Sequence, residues 1–273
     1  MEFAILGPMS VRQDGRELPL GGPKQRALLA ILLLQANEAV SRDRLIDGLW
    51  GEHPPATAAH TLDNYISRLR KVLGDDRLTR RPPGYALRLE RGELDLDRFE
   101  QLMALGREQL VHGHARQAAA TLRGALALWR GTALADVLYE PFAAPEAERL
   151  EERRLSALEE RVEADLASGS SAELVAELER LVGEHAFRER LVGQLVLALY
   201  RSGQQAKALE EYRVAKRRLA EELGLEPGPQ LRKLQRKILE QDASLGAQRA
   251  EPRGLQQRQE WGRPRLVVAG LTA

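Results

Sequence analysis

Cysteine is absent from the 273 residues of the chain. Its absence excludes disulfides, thiol catalysis and thiolate metal sites, and it fits the reducing cytosol. No apolar run reaches the roughly 18 residues that a membrane span needs, since the densest run, Leu28–Leu34, is closed by Gln35. The opening residues also lack the basic region and the apolar stretch of a signal peptide. The sequence therefore predicts a cytoplasmic, globular protein without membrane contact.

Motifs for catalysis and nucleotide binding are also missing. The pattern G-x-x-x-x-G-K-[ST] does not occur, and the loop Gly21-Gly22-Pro23-Lys24 is too short to cradle phosphates. His112 and His114 flank a predicted turn at Gly113 without a third metal ligand nearby, so solvated roles explain them better. The sequence therefore predicts no enzyme activity, no metal site and no cofactor.

The net charge of +1 is divided unevenly along the chain. Residues 1–92 hold 14 Lys and Arg against 11 Asp and Glu, whereas residues 93–245 hold 22 against 27. The basic excess of the first block lies in residues 56–92, which hold 8 against 4. A modestly basic block joined to an acidic one suits local DNA contact beside a separate protein-facing half.

The first block alternates short strands with helices. Asp14-Gly15 is a hairpin signal, Pro23 suits the first turn of a helix, and Ser41 suits a helix N-cap. A third helix follows, and then a hairpin around Pro82-Pro83. This order predicts a winged helix-turn-helix domain over residues 1–92. The expected elements are strands at 2–6, 10–13 and 16–18, helices at 23–35, 41–50 and 61–73, and hairpin strands at 79–81 and 84–89.

The third helix has one apolar face and one polar, basic face at helical spacing. The apolar face consists of Leu62, Ile66, Leu69 and Leu73. His60, Asn64, Ser67 and Lys71 cluster on the opposite side, flanked by Arg68 and Arg70. Such a helix can bury one stripe in a domain and offer the other to the major groove of DNA. A solvated amphipathic helix is the alternative, because most charged helix faces contact only water.

From residue 93 onward the pattern is helical, and it repeats. Gly169 and Gly203 are 34 residues apart, which is the tetratricopeptide period. Gly113, Gly169 and Gly203 are each followed by small or apolar residues at offsets 5, 9 and 12. About 22 extra residues separate the first two copies, and they are expected around residues 131–145. This pattern predicts an all-α, tetratricopeptide-like domain over residues 93–245, with any helical bundle as the alternative.

The end of the chain differs from the repeats. Gly224–Pro229 breaks the array before a last predicted helix at 230–241. Residues 246–273 contain Gly, Pro, Gln and Arg without periodicity, which predicts a mobile tail.

Together the two halves resemble the Streptomyces antibiotic regulatory proteins, bacterial activators that join an OmpR/PhoB-type winged helix to a bacterial transcriptional activation domain. The resemblance spans residues 2–243 and rests on several sequence segments. These are Gly21–Leu29, Ser41–Gly51, Pro54–Ala58, the helix Thr61–Gly74, the wing Thr79–Leu87, the segment Leu94–Phe99, and Glu221–Pro229.

The resemblance implies a role for individual residues. Base-reading residues would be Thr61, Asn64, Ser67 and Arg68. Phosphate or backbone contacts would come from Lys24, Arg26, Tyr65, Arg70 and Lys71, and wing contacts in or near the minor groove from Arg80 and Arg81. Two alternatives stay open: Tyr65 could pack beside Leu62, and Lys24 and Arg26 could be solvated. Tyr85 would hold the wing hairpin rather than contact DNA.

The resemblance also implies partners. Family members bind double-stranded DNA as pairs on promoter direct repeats and contact RNA polymerase through its sigma factor. We therefore expect a nucleoid-associated, homodimeric activator of a secondary-metabolite gene cluster. The first strand begins at about residue 2, which leaves no room before it for a receiver domain, so no phosphorelay is expected. The alternatives are a repressor at the same sites and an adaptor that binds protein partners through its helical repeats.

Overall fold

The computed structural model describes residues 1–246. Apart from Gly246, the segment predicted to be a mobile tail lies outside the described residues. The first part of the chain contains two three-stranded antiparallel sheets and three helices. The three helices, the first sheet and two strands of the second agree with the sequence prediction. Its elements are β1 (Glu2–Ala4), β2 (Ser10–Gln13), β3 (Arg16–Glu17), α1 (Pro23–Leu34), β4 (Val40–Ser41), α2 (Arg42–Trp50), α3 (Ala58–Leu73), β5 (Leu78–Arg81) and β6 (Gly84–Leu87).

Local signals place the helix starts. Pro23 occupies the first turn of α1, where its missing N–H costs no helical hydrogen bond. The Ser41 hydroxyl accepts a hydrogen bond from the Arg44 N–H at 3.2 Å, and Asp43 lies in the first turn of α2. This side-chain cap satisfies one of the N–H groups that the start of a helix leaves without a partner.

The wing is a sheet of three strands rather than a hairpin of two. β6 lies in the centre, paired with β5 on one side and with β4 on the other. Strand β4, which places Val40 opposite Tyr85, was not predicted. Two residues of a strand give no sequence period, and its partner lies more than forty residues away. The wing is therefore tied to the start of α2 as well as to the end of α3.

Seven helices form the second part of the described chain. They are α4 (Asp95–Val111), α5 (Ala115–Leu126), α6 (Ala143–Ser168), α7 (Ser171–Glu184), α8 (Glu189–Arg201), α9 (Gln205–Leu223) and α10 (Pro229–Leu239). Gly113, Gly169 and Gly203 each follow the first helix of a pair with a positive φ, a conformation that costs glycine little. The residues at the three repeat offsets are buried in all three pairs. The predicted helical repeat is confirmed.

The extra residues between the first two repeats form the connection 127–142, which packs on the first part of the chain. The Arg130 N–H donates to the Leu6 carbonyl at 2.8 Å, and the Leu134 N–H donates to the Ile5 carbonyl at 2.9 Å. The connection contains a short 3-10 turn, Ala135–Val137. The predicted insertion thus joins the two parts of the chain.

The N–H groups of Ile5 and Leu6 donate to a buried carboxylate at the start of α4. Asp95 accepts hydrogen bonds from the Ile5 N–H at 2.9 and 3.0 Å and from the Leu6 N–H at 3.0 Å. Burial raises the pKa of Asp95, while these donors and the nearby Arg130 act in the opposite direction. All four backbone polar groups of Ile5 and Leu6 are therefore bonded to residues beyond position 92.

The hydrophobic core is continuous across residue 92. One cluster of buried side chains extends from Phe3 to Ala164 and includes residues of α1, α3, α4, α5 and most of the length of α6. A second cluster extends from Val162 to Leu245. Because the core is continuous there, packing does not mark residue 92 as a boundary. The division of the chain into two domains at this residue stays a prediction.

Glu93 lies at the base of the wing with its side chain only 11% exposed. Its carboxylate accepts hydrogen bonds from Arg77 at 2.7 and 2.9 Å and from the Glu90 N–H at 2.8 Å. Burial alone would raise the pKa of Glu93, but these donors and the amino group of Met1 outweigh it and hold the pKa at about 2. The charged carboxylate is therefore stabilised by folding.

We expect Glu93→Gln to reduce stability in a pH-dependent way. Because the pKa of Glu93 is lower in the folded chain, its contribution is complete above about pH 4.5 and is lost as the pH falls towards 2. The variant should be about 1–3 kcal/mol less stable at pH 7, with a smaller difference at pH 3.5. Urea unfolding at both pH values measures this. Exposed Glu38→Gln is the control, and an equal deficit at both pH values would contradict the prediction.

Candidate nucleic-acid interface

The two faces of α3 are separated as its periodicity predicts. Leu62, Ile66, Leu69 and Leu73 are buried in the core. Their burial turns the opposite face of α3 outward, where His60, Asn64, Ser67, Arg68 and Lys71 are exposed. The helix thus presents hydrogen-bond donors, acceptors and positive charge on one accessible surface.

Three of the four predicted base-reading residues are exposed. Asn64, Ser67 and Arg68 lie within five residues on the outward face of α3, and Thr61 is half-buried at its edge. Within the described chain, Arg68 and Lys71 form no ion pair. No ion pair therefore has to break before these two side chains contact an anionic partner. Their contacts with bases or phosphates stay predictions.

Tyr65 and Arg70 have contacts within the protein. Tyr65 is half-buried and packs against the core, in line with the alternative that it lies beside Leu62. The Arg70 Nε donates to the Leu78 carbonyl at 2.7 Å, and its guanidinium lies 5.7 Å from the centre of the Tyr85 ring. Arg70 therefore joins the end of α3 to the wing, and a phosphate contact would involve only its remaining N–H groups.

A cluster of three side chains fixes α3 against α2 and the wing. The Asp63 carboxylate accepts hydrogen bonds from Arg42 at 2.5 and 3.1 Å and from the Tyr85 hydroxyl at 2.8 Å. The bond from Arg42 lowers the pKa of Asp63, and burial raises the pKa of Tyr85. Sequence reasoning assigned Tyr85 to the wing hairpin but missed Arg42 and Asp63. Their spacing along the chain gives no local signal.

The wing presents its basic residues at the tip. Arg80 and Arg81 end β5 and are exposed. On the return strand, Gly84 lies so close to β4 that a Cβ atom at this position would be 1.9 Å from the Val40 carbonyl oxygen. Glycine therefore allows the three strands to pair and the tip to project beside α3.

Lys24 and Arg26 contact the second part of the chain. Lys24 pairs with Glu140 at 2.6 Å and donates to the Leu49 carbonyl, and Arg26 pairs with Asp136 at 2.5 Å. Each side chain is about one-third exposed, so neither is simply solvated. Their DNA contacts stay predictions, and the ion pairs give both residues a structural role that the sequence did not indicate.

Residues 1–246 contain neither a cluster of metal-binding side chains nor a helix that could cross a membrane. No group of three or more His, Asp or Glu side chains there could hold a metal ion. No helix in this part of the chain is long and apolar enough to span a membrane.

Two family comparisons cover most of the described chain. Residues 94–239 match the bacterial transcriptional activator domain, and residues 15–87 match the family described as transcriptional regulatory protein, C terminal. The regulatory protein DnrI of Streptomyces peucetius is 37% identical over 256 residues, which cover 90% of this chain and 94% of that protein. The chain belongs to the Streptomyces antibiotic regulatory protein family. Proteins of this family are transcriptional regulators.

Longer members of the Streptomyces antibiotic regulatory protein family match as well. The regulatory protein AfsR of Streptomyces griseus is 44% identical over 92% of this chain, and the match covers 26% of that protein. A solved structure, "Mycobacterium tuberculosis EmbR in complex with low affinity phosphopeptide", superposes with a TM-score of 0.85 at 41% identity. The superposition covers 88% of this chain and 65% of the EmbR chain. The chain thus spans about a quarter of AfsR and about two thirds of EmbR.

Proposed function

We propose that this protein is a sequence-specific DNA-binding transcriptional activator. The observation that carries the proposal is the exposed face of α3 with the basic wing tip beside it. Asn64, Ser67 and Arg68 are chemically able to read base edges in the major groove. Arg80 and Arg81 supply positive charge where a wing would meet the sugar-phosphate backbone or the minor groove.

We also propose that two copies bind promoter direct repeats, with half-sites about one helical turn apart, and recruit RNA polymerase through its sigma factor. Family membership supports this arrangement and a role in a secondary-metabolite gene cluster. The acidic second part of the chain offers surfaces for the neighbouring copy or for polymerase. The sign of regulation is tested by transcription from the selected promoter in vitro, where a fall in transcript would indicate repression.

Selection of bound duplexes from random DNA, at near-physiological salt, tests specific binding. Wild type is expected to enrich a tandem repeat. Lack of enrichment would reject the sequence-specific proposal and favour an adaptor role for the helical repeats. The salt concentration has to be stated, since phosphate contacts make affinity strongly salt-dependent.

Arg68→Ala should weaken binding to the selected site by about 1–3 kcal/mol and relax base preference at one position of each half-site. The exposed side chain has no ion pair within the described residues, so stability should be unchanged. Selection and fluorescence anisotropy with the variant measure both effects. Arg116→Ala, on the exposed surface of α5, is the matched control. Equal effects of both substitutions would contradict base reading by Arg68.

Lys71→Ala should weaken binding to all duplexes by a similar factor. A lysine ammonium that neutralises one phosphate contributes about one unit to the slope of log affinity against log salt. Titrations of the selected site and of a scrambled duplex at several salt concentrations measure this slope. A loss confined to the selected sequence would indicate base reading by Lys71 instead of a phosphate contact.

A further inference from the structure

His60 is the third residue of α3 and lies on its outward face. The side chain is exposed, and within the described chain it forms neither a hydrogen bond nor an ion pair. Its neighbour Ala59 is held through the backbone, since Arg42 donates to the Ala59 carbonyl at 3.2 Å. The start of α3 is therefore fixed in place, while both nitrogens of the His60 imidazole are available to a partner outside the chain.

His60 belongs to the line of side chains that projects furthest from the core. At about 100° per residue, four exposed side chains fall within about 60° of one another around α3, and these are His60, Asn64, Ser67 and Lys71. This outward line lies opposite the buried apolar stripe of the helix. Thr61 is turned about 100° away from His60 and is half-buried. His60, and not Thr61, therefore occupies the first position of the outward line.

The outward line is longer than the major groove is wide. Its ends, His60 and Lys71, are eleven residues apart, which is about 16 Å along the helix axis, whereas the groove is about 12 Å wide. The groove also curves around the duplex, so a straight helix brings only its middle residues to the base edges. Side chains at its ends lie nearer to the phosphates. Lys71 carries a positive charge at one end of the line, and His60 occupies the corresponding position at the other.

The charged groups that pack around the start of α3 bond to one another. Asp63, on α3 itself, accepts hydrogen bonds from Arg42 of α2 and from the Tyr85 hydroxyl of β6. Arg42 is the main cause of the low pKa of Asp63, and Arg80 at the wing tip contributes to it. The Asp63 carboxylate is therefore already compensated by cations of α2 and the wing, and it does not bond to His60.

The neighbouring segments add three exposed titratable groups. Asp43 lies in the first turn of α2, and Glu52 and His53 lie in the loop before α3. Within the described chain, none of the three forms an ion pair. Charges on exposed side chains interact only weakly through water, so the phosphates of a bound duplex would be the strongest charges near His60.

We propose that His60 is a further phosphate contact of α3 and that its imidazole takes up a proton when the protein binds DNA. This inference rests on the proposed DNA-binding function. Histidine is the side chain whose ordinary titration falls between pH 5 and 8, and a phosphate oxygen beside the ring stabilises the charged form. The charged ring would donate a charge-assisted hydrogen bond to the phosphate, whereas the neutral ring forms no ion pair. The affinity for DNA should therefore increase as the pH falls.

The first readout is the affinity of the full chain for the selected duplex, measured by fluorescence anisotropy at about pH 6 and about pH 8. Wild type should bind about 3–10-fold more tightly at the lower pH. His60→Gln keeps a hydrogen-bonding side chain without a charge and should bind equally at both pH values. His60→Lys keeps a positive charge at both, so it should also bind equally, with an affinity close to that of wild type at the lower pH.

The second readout is the slope of log affinity against log salt, which reports the number of phosphates that the protein neutralises. For wild type this slope should be about one unit steeper at the lower pH, and for His60→Gln it should not change. A scrambled duplex should show the same change as the selected one, because a phosphate carries no sequence information. A pH effect confined to the selected duplex, without a change of slope, would mean that His60 reads a base and would overturn the phosphate contact.

His53→Gln is the matched control, since it removes a second exposed histidine close to α3 and should leave the pH-dependence as in wild type. Circular dichroism at both pH values verifies that each variant is folded. Equal wild-type affinity at both pH values, or a pH-dependence that His53→Gln removes and His60→Gln retains, would overturn the proposal. If wild type bound every duplex alike, the sequence-specific function would fail, while the pH-dependence of the salt slope would still decide the role of His60.

Discussion

Gly84→Ala is expected to abolish DNA binding and to destabilise the first part of the chain by at least about 3 kcal/mol. An added Cβ would lie 1.9 Å from the Val40 carbonyl oxygen and 2.9 Å from the Arg42 backbone nitrogen. Both are backbone atoms, which have no rotamer to change, so β4 and β6 have to separate. That separation moves Tyr85 away from Asp63 and releases the wing from α3.

Circular dichroism and urea unfolding measure the loss of stability, and anisotropy with the selected duplex measures the loss of binding. Gly183→Ala is the control, because a methyl group there meets no atom within 4 Å and alanine favours the helix. If Gly84→Ala folds with wild-type stability and binds normally, the close pairing of β4 with β6 is wrong.

Asp95→Ala is expected to destabilise the whole chain by about 2–6 kcal/mol. The substitution leaves the N–H groups of Ile5 and Leu6 buried without acceptors, at a cost of about 1–3 kcal/mol for each group. It also leaves Arg130, 3.7 Å from the carboxylate, without its acidic partner. Since these bonds join the segment that follows β1 to the start of α4, unfolding of the two parts should become less cooperative.

Chemical denaturation followed by two probes, tryptophan fluorescence and far-ultraviolet circular dichroism, measures both effects of Asp95→Ala. Asp97→Ala is the matched control on the same helical turn, where a helix-dipole contribution of only about 0.3–1 kcal/mol is lost. Asp95→Asn keeps one acceptor oxygen and should be intermediate in stability. Equal costs for Asp95→Ala and Asp97→Ala would contradict the structural role of Asp95.

Elements with strong local signals were predictable from the sequence. Pro23, Ser41 and the apolar stripe of α3 are encoded within one or two helical turns, and the structure places each as expected. The repeat glycines were predictable for a similar reason, because a 34-residue period is visible without knowledge of the fold. The outward face of α3 followed directly from the burial of its leucines.

Contacts between distant segments were not predictable. Strand β4 is too short for a pattern, and the Arg42–Asp63–Tyr85 cluster depends on three elements that meet only after folding. Lys24 and Arg26 were assigned to DNA contacts because the sequence does not show which acidic residue lies near a basic one. The fold brings Glu140 to Lys24 and Asp136 to Arg26. Asp95 lies in the segment Leu94–Phe99, which carries part of the family resemblance, but its bonds to Ile5 and Leu6 form only in the folded chain.

The connection 127–142 has a geometric consequence if two copies bind direct repeats, as proposed above. The connection and Asp95 hold α4 and α5 against the first part of the chain. The direction from which α3 enters the major groove would therefore also set the side of the DNA on which the helical repeats lie. Copies one turn apart, about 10–10.5 base pairs, would hold their repeats on the same side of the duplex. Half a turn more would place them on opposite sides. The number of base pairs between the two half-sites would thus decide whether the helical repeats of the two copies face the same side of the DNA.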